Sequence, residues 1–213
     1  MTCSHCLDAQ DFFDERRARK ELSRYRRKGP AASTRLLLDG VLREDVSGRS
    51  LMDIGGGVGT IQHELAGRGV RRIVGVDASP GYVKTLEAEA ARRGYADCIE
   101  SHVGDFLDLA PELAEADIVT LDRVVCCYPD MVSLVRASAA KSRALLGLVF
   151  PRPRWIVRLA IVLINLRNRL ARSDFRTFVH SPEAIERTAR ESGLEPCYEA
   201  RTFLWSVVLF AQA

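Results

Sequence analysis

Gly48-Arg-Ser-Leu-Met-Asp-Ile-Gly-Gly-Gly-Val-Gly-Thr-Ile-Gln-His63 is the stretch that decides how this chain folds. Leu51, Met52 and Ile54 form a short apolar run of the kind a buried parallel strand requires. The run breaks into glycines at 55, 56, 57 and 59 and resumes with helical spacing from Ile61 to Ala66. Strand, tight turn and helix follow one another. Glycines there let the backbone bend sharply and approach a ligand where a Cβ would collide. The start of the next helix offers unpaired N–H groups to a polar or anionic ligand group.

The turn is neither of the two common nucleotide signatures. In a Gly-x-Gly-x-x-Gly frame opened at Gly55 the last position is Thr60, and opened at Gly57 it is Gln62. A phosphate loop ending in Gly-Lys-Ser/Thr is absent. What stands here is Asp53-x-Gly55-x-Gly57-x-Gly59, with an acid two residues before the first glycine. This pattern resembles the first motif of the class I S-adenosylmethionine (SAM) dependent methyltransferases.

The rest of the chain extends that resemblance. Arg71-Arg-Ile-Val-Gly-Val-Asp77 reads as a second buried strand, closing on an acid 24 residues after Asp53. A carboxylate at that place can accept hydrogen bonds from both ribose hydroxyls of an adenosyl ligand. Cys98 to Val103 reads as a third strand, followed by Gly104-Asp105-Phe106. By resemblance, Asp105 bonds the adenine amine, Phe106 covers one side of the ring and Ala78 the other. Asp117 to Asp122 is a fourth strand and Ala144 to Phe150 a fifth, with helices at 81–93 and 130–142 between. Strands alternating with helices at this spacing are βαβ units, whose ligands sit at the carboxyl ends of the strands. The glycine turn, Asp77, Asp105 and the Asp122 loop all fall at those ends. The expected fold is therefore α/β and Rossmann-like, a mostly parallel sheet with helices on both faces. The resemblance implies seven strands, the last inserted antiparallel. Asp53, Gly55, Gly57, Gly59, Asp77, Ala78, Asp105, Phe106 and Asp122 are its expected contacts to SAM or the product S-adenosylhomocysteine.

Composition bounds the setting. The chain has 213 residues, 47% hydrophobic and 28% charged, with a net charge of +3, as one ordinary globular domain would. No run reaches the ~18 apolar residues of a bilayer span, and Met1 to Phe13 has no signal-peptide core. A cytoplasmic location is the expectation. Six scattered cysteines point to reduced thiols. Cys3-Ser-His-Cys6 has the spacing of half a zinc site with no second half in the sequence, so no metal is expected.

Residues 1–47 read as an N-terminal helical cap on a SAM-binding domain at 48–213. A polar helix over 11–28 carries eight Lys/Arg against three acids in 14–28 and stops at Gly29-Pro30. Ser33 or Thr34 is placed to cap a second helix. Ser181 and Pro182 open the last helix, and two closing strands run from Glu195 to Arg201 and Phe203 to Phe210. At about 152–173 the domain gains a helical insertion. Arg154, Arg158, Asn165, Asn168, Arg169 and Arg172 share one side of it, and Ile156, Leu159, Leu163, Leu166 and Leu170 the other, with Arg167 among them. Such a helix packs on the core, closes over a greasy pocket, or lies at a membrane surface as a peripheral contact.

Methyl transfer needs alignment and exclusion of water, and a base only when the acceptor is not already ionised. The candidates for positioning and proton transfer are Asp122, Arg123, Tyr128 and His180, with Tyr25 behind them. Arg123, Arg152 and Arg154 are candidates for an acidic substrate group. Asp122-Arg-Val-Val lacks the Pro-Pro-aromatic signature of amino-methylating DNA enzymes, and Cys126-Cys127 before Tyr-Pro does not match a cytosine-C5 nucleophile. A catechol-type metal site would want more acids than Asp122 and Asp130. Beyond the core, Tyr128-Pro-Asp130, Phe150-Pro151 and Val179-His180 resemble the magnesium-protoporphyrin O-methyltransferases, which esterify a propionate on a large flat substrate; the insertion at 154–172 departs from them. The expected activity is SAM-dependent methylation, at oxygen, of a small and rather apolar molecule. The alternatives are an RNA methyltransferase that uses the two arginine-rich stretches on phosphates, and a non-catalytic SAM-binding or membrane-surface protein.

Overall fold

The computed structural model describes residues 14–171, 173 and 175–213. The Cys3-Ser-His-Cys6 cluster lies outside the described residues. The first strand, β1 (Ser50–Ile54), lies inside a seven-stranded sheet with β2 (Arg72–Asp77), β3 (Ile99–Val103), the central β4 (Ala116–Asp122), β5 (Ser142–Pro151), β6 (Leu194–Arg201) and β7 (Trp205–Gln212). Their order is β3-β2-β1-β4-β5-β7-β6. The first five run parallel, and β7 enters antiparallel between β5 and β6. The strand order reverses between β1 and β4, so a crevice opens there beyond the carboxyl ends.

Alternation along the strands sends apolar side chains to both faces. Leu51, Ile73, Ile118 and Leu145 pack on one side with Leu37, Val41 and Leu65 of α2 (Ala32–Val41) and α3 (Thr60–Ala66). Met52, Val74, Val119 and Leu146 pack on the other with Leu134 of α6 (Met131–Ala140) and Ile185 of α8 (Pro182–Glu191). The remaining helices are α1 (Glu15–Lys28), α4 (Pro80–Arg93), the single turn α5 (Phe106–Leu109) and α7 (Trp155–Leu170).

Helix α1 buries Ala18, Leu22 and Tyr25, one face at spacings of four and three, against Val58 and Tyr82. Its arginines face outward, apart from Arg26, which pairs with the fully buried carboxylate of Glu89 beside Arg92 and Arg93. The cap of α2 differs from the expectation. The helix starts after Ala31 with no side-chain cap, and Ser33 and Thr34 are buried inside it. Thr34 instead sends its Oγ1 hydroxyl 2.5 Å to Asp122 Oδ2, which ties α2 to the end of β4.

Helix α7 decides between the arrangements that the sequence left open. The two faces are as read, and the side that carries the asparagines meets the protein. Val157 and Asn168 are its buried residues, while Leu159, Leu163, Leu166 and Leu170 point outward. Asn165 Nδ2 donates to the Thr177 carbonyl at 2.8 Å, its Oδ1 accepts from Thr177 N at 2.9 Å, and Asn168 Nδ2 donates to the Phe175 carbonyl at 3.1 Å. The asparagines thus hold a strap that leads from α7 to α8. The strap meets the β4 turn where Phe178 N donates to the Cys126 carbonyl at 2.7 Å.

Candidate active site

A cavity of about 590 Å³ lies at the carboxyl ends of the parallel strands, within the range of small-molecule sites. At one end the glycine turn leaves β1. Gly55 has φ +63°, and an added Cβ would meet the Val124 side chain. At Gly56 a Cβ would lie 2.5 Å from Asp53 Oδ2 and 2.6 Å from Gln62 Nε2. The turn is therefore a cradle that any side chain would fill.

Asp53 is buried under this turn. Thr120 Oγ1 donates to its Oδ1 at 2.7 Å and Gln62 Nε2 to its Oδ2 at 3.2 Å. Burial outweighs those bonds and lifts its pKa to about 7. Asp77 ends β2 and accepts from Gly57 N at 2.9 Å and Ser79 N at 2.8 Å. Burial raises its pKa to about 6. Further donors from a ligand's hydroxyls would offset that desolvation. Asp105 caps α5 by accepting from Leu107 N at 3.0 Å, and Tyr128 donates its hydroxyl to the same Oδ1. Ala78 and Phe106 stand in the wall beside it. This half of the cavity suits an adenosyl group: a carboxylate for vicinal hydroxyls, a second acid, and apolar side chains for a flat base.

The other half begins at the turn after β4. Arg123 has φ +65°, a left-handed backbone and the one non-glycine residue so placed among those described. Asp122 receives Thr34 at one oxygen and Arg123 Nε at the other, 3.3 Å away. The Arg123 guanidinium lies 5.9 Å from the centre of the Trp205 ring. Val124, Cys126, Cys127 and Tyr128 continue this wall.

Of the expected site residues, Asp53, Gly55, Gly57, Asp77, Ala78, Asp105, Phe106, Asp122, Arg123 and Tyr128 line the cavity together. Gly59 does not; it starts α3 with φ +78°, and its missing Cβ makes room for Leu86. His180 does not line it either. Its Nε2 donates to the Tyr128 carbonyl at 2.9 Å, and its ring stacks on Phe178. Tyr25 is turned to Glu64, 2.7 Å away, and burial with that carboxylate raises its pKa above the usual range. Arg152 donates to the Thr202 carbonyl and Arg154 stacks over Phe203, both away from the cavity. Sequence reasoning missed Glu21, Ile164, Arg167, Phe175, Thr177 and Trp205 in the lining. Arg167 had one available signal, as the charge that interrupts the apolar side of its helix.

Residues 51–144 match a protein family described as "Methyltransferase domain". That stretch, just under half of the chain, holds the glycine turn, Asp77 and Asp105 and is similar to the methyltransferase domain of SAM-dependent enzymes. A ubiquinone biosynthesis O-methyltransferase from Neisseria meningitidis serogroup C is 26% identical over 162 residues, 71% of this chain and 66% of that protein. The chain thus matches slightly under two thirds of that relative's length. Among solved structures, a magnesium protoporphyrin IX methyltransferase from Synechocystis PCC 6803 with bound S-adenosylhomocysteine superposes with a TM-score of 0.71 at 17% identity, over 96% of this chain and 98% of that one. A putative RNA methyltransferase from Pyrococcus horikoshii reaches 0.59 at 15% identity, over 85% and 84%. The fold of the methyltransferase domain is common to both, so it does not choose between a small molecule and RNA.

Proposed function

We propose that this chain transfers the methyl group of SAM to an oxygen of a small, rather apolar acceptor, most simply an ionised carboxylate. The observation that carries the reading is the second half of the cavity. Val124, Ile164, Phe175 and Trp205 give it an apolar and aromatic wall, and Arg123 and Arg167 give it two cations. The names of the curated relative and the Synechocystis neighbour, an O-methyltransferase and a porphyrin methyltransferase, support an oxygen acceptor and an apolar substrate.

Bound SAM supplies a methyl group on a positively charged sulfur, with a neutral thioether as leaving group. Asp77 accepts the ribose hydroxyls, and Asp105, Ala78 and Phe106 hold the base. Asp53, held by Thr120 and Gln62, fixes the glycine turn from beneath, and Gly55 and Gly57 let the backbone come close. Arg123 and Arg167 orient the acceptor's carboxylate, and the apolar wall excludes water from it. No imidazole lines the cavity among the described residues, and a carboxylate acceptor needs none at neutral pH. Asp122 is engaged by Thr34 and Arg123 and acts by positioning that arginine. His180 holds the Tyr128 backbone and is a positioning residue.

The test is a screen of apolar carboxylates and phenols with purified protein and SAM, read as S-adenosylhomocysteine formed. Turnover of a carboxylate, with at least about tenfold loss of kcat/KM in Arg123→Ala, supports the reading. Turnover of RNA and of no small molecule would overturn it.

A further inference from the structure

The outward face of α7 is the largest feature the methyltransferase reading leaves unexplained. Trp155 is 75% exposed, Leu159 49%, Val162 61%, Leu163 56%, Leu166 51% and Leu170 78%. At about 100° per residue these six side chains form one stripe. A helix that merely covers a core would turn such a stripe inward. Here the asparagine bonds to the strap hold the opposite side against the protein. Two more exposed apolar residues stand on a second element, the loop between β6 and β7, beside the segment that leads into α7. Phe203 is 57% exposed and Leu204 48%, and the loop is tied to α7 by Arg154 stacked 4.2 Å over the Phe203 ring and by Arg152 N donating to the Leu204 carbonyl at 2.9 Å. Contiguous exposed apolar surface of this extent marks an interaction site.

The charge around the stripe says what meets it. Residues 152–172 hold six arginines and no acid. Arg158 and Arg169 fall along one border of the apolar stripe by helical spacing, and Arg154 lies at its N-terminal end. A second copy of this chain, packed face to face, would bring arginine against arginine. A lipid bilayer with anionic headgroups meets both requirements at once, taking the leucines and Trp155 below the headgroups and pairing the arginines with phosphates. No helix among the described residues is long and apolar enough to cross a membrane, which fits a helix lying in the surface. Ile164 and Arg167 of the same helix line the cavity.

We propose that α7 and the β6–β7 loop dock the protein on an anionic bilayer surface, with the acceptor half of the cavity beside the lipid, so that its substrate is drawn from the membrane. This goes beyond the assignment of the reaction, and its test is separate from the test of that assignment. The purified full chain is sedimented with vesicles of phosphatidylcholine alone and of phosphatidylcholine with roughly one third phosphatidylglycerol, at low and high salt. Binding at least about tenfold stronger to the anionic vesicles, and weakened by salt, is the expected result. Leu159→Ser with Leu163→Ser, and separately Arg158→Ala with Arg169→Ala, should each lose about tenfold or more of that binding. Both variants should keep their melting temperature and their titration with S-adenosylhomocysteine. A wild-type protein that binds S-adenosylhomocysteine but stays free of anionic vesicles overturns the docking and leaves the cofactor reading intact. A dimer in sedimentation equilibrium that the leucine variant dissociates overturns it too, by assigning the face to a second copy.

Discussion

Asp77 carries the sharpest expectation at the scale of single residues. A hydrogen bond to a charged group is worth about 1.5–3 kcal/mol, so Asp77→Ala should weaken S-adenosylhomocysteine binding by roughly ten- to 100-fold per hydroxyl lost, read by calorimetry. The carboxylate must be ionised to accept from both hydroxyls, and burial has raised its pKa to about 6. Affinity should therefore be steady at neutral pH and fall as the pH drops below about 6, a dependence that Asp77→Asn should not show. At Gly55 the left-handed backbone costs a side chain about 1–2 kcal/mol, and the new Cβ presses on Val124. Gly55→Ala should lower the melting temperature and bind the ligand less tightly; an unchanged melting curve would count against the turn as a tight cradle. Asp53, Gly55, Gly57, Asp77 and Asp105 were legible because acids and glycines at strand ends follow from local spacing. Trp205 and Phe175 were not, since nothing local tells an aromatic beside a cavity from one in a core.

At the scale of elements, the asparagines of α7 hold the helix to the strap. Asn168 is buried and holds the Phe175 carbonyl. Asn168→Ala removes one of two side-chain donors to that carbonyl, the other being Arg176 Nη1 at 3.1 Å, at about 0.5–1.5 kcal/mol, and loosens the strap where Phe175 and Thr177 line the cavity. The expected result is a raised KM for the acceptor with a smaller change in affinity for S-adenosylhomocysteine, because Phe175 and Thr177 stand beside Arg167 and Trp205 in the lining. Equal loss at both halves would mean that the strap supports the whole fold instead. Periodicity gave the length and the two faces of α7 correctly. It did not say which face turns inward, because a side chain's hydrogen-bond partners on another segment are invisible to spacing.

Across the whole molecule, buried ionisable groups should shape the pH dependence of stability in the ligand-free protein. Asp53, at about 7, and Asp77, at about 6, bind protons more tightly folded than unfolded. Their contribution is fully present below the ordinary carboxylate range and is lost as the pH rises through those values. His63 acts oppositely. Burial and Arg93 lower its pKa to about 4, so its contribution is present above its unfolded value and is lost as the pH falls toward 4. The two effects oppose each other in the acid range. Near neutrality Asp53 prevails, and the melting temperature should fall between about pH 6 and 8 in the free protein. Asp53→Asn should flatten that slope, and a slope that persists in the variant would assign it elsewhere.

The sequence by itself determined the parallel core, its strand ends and the half of the cavity lined by the glycine turn, Asp77 and Asp105. Each rests on a local signal: an apolar run, a glycine where the backbone must turn left-handed, an acid at a strand terminus. The antiparallel return of β7 also followed, by resemblance to a family rather than from spacing. Only the tertiary structure decided the acceptor half. It set His180 behind Tyr128, brought Thr34 to Asp122 across the sheet, moved Arg167 into the lining and turned the leucines of α7 to the outside. Those outcomes depend on contacts between segments far apart in the chain, where packing and hydrogen-bond satisfaction in three dimensions choose among arrangements that the local pattern leaves equal.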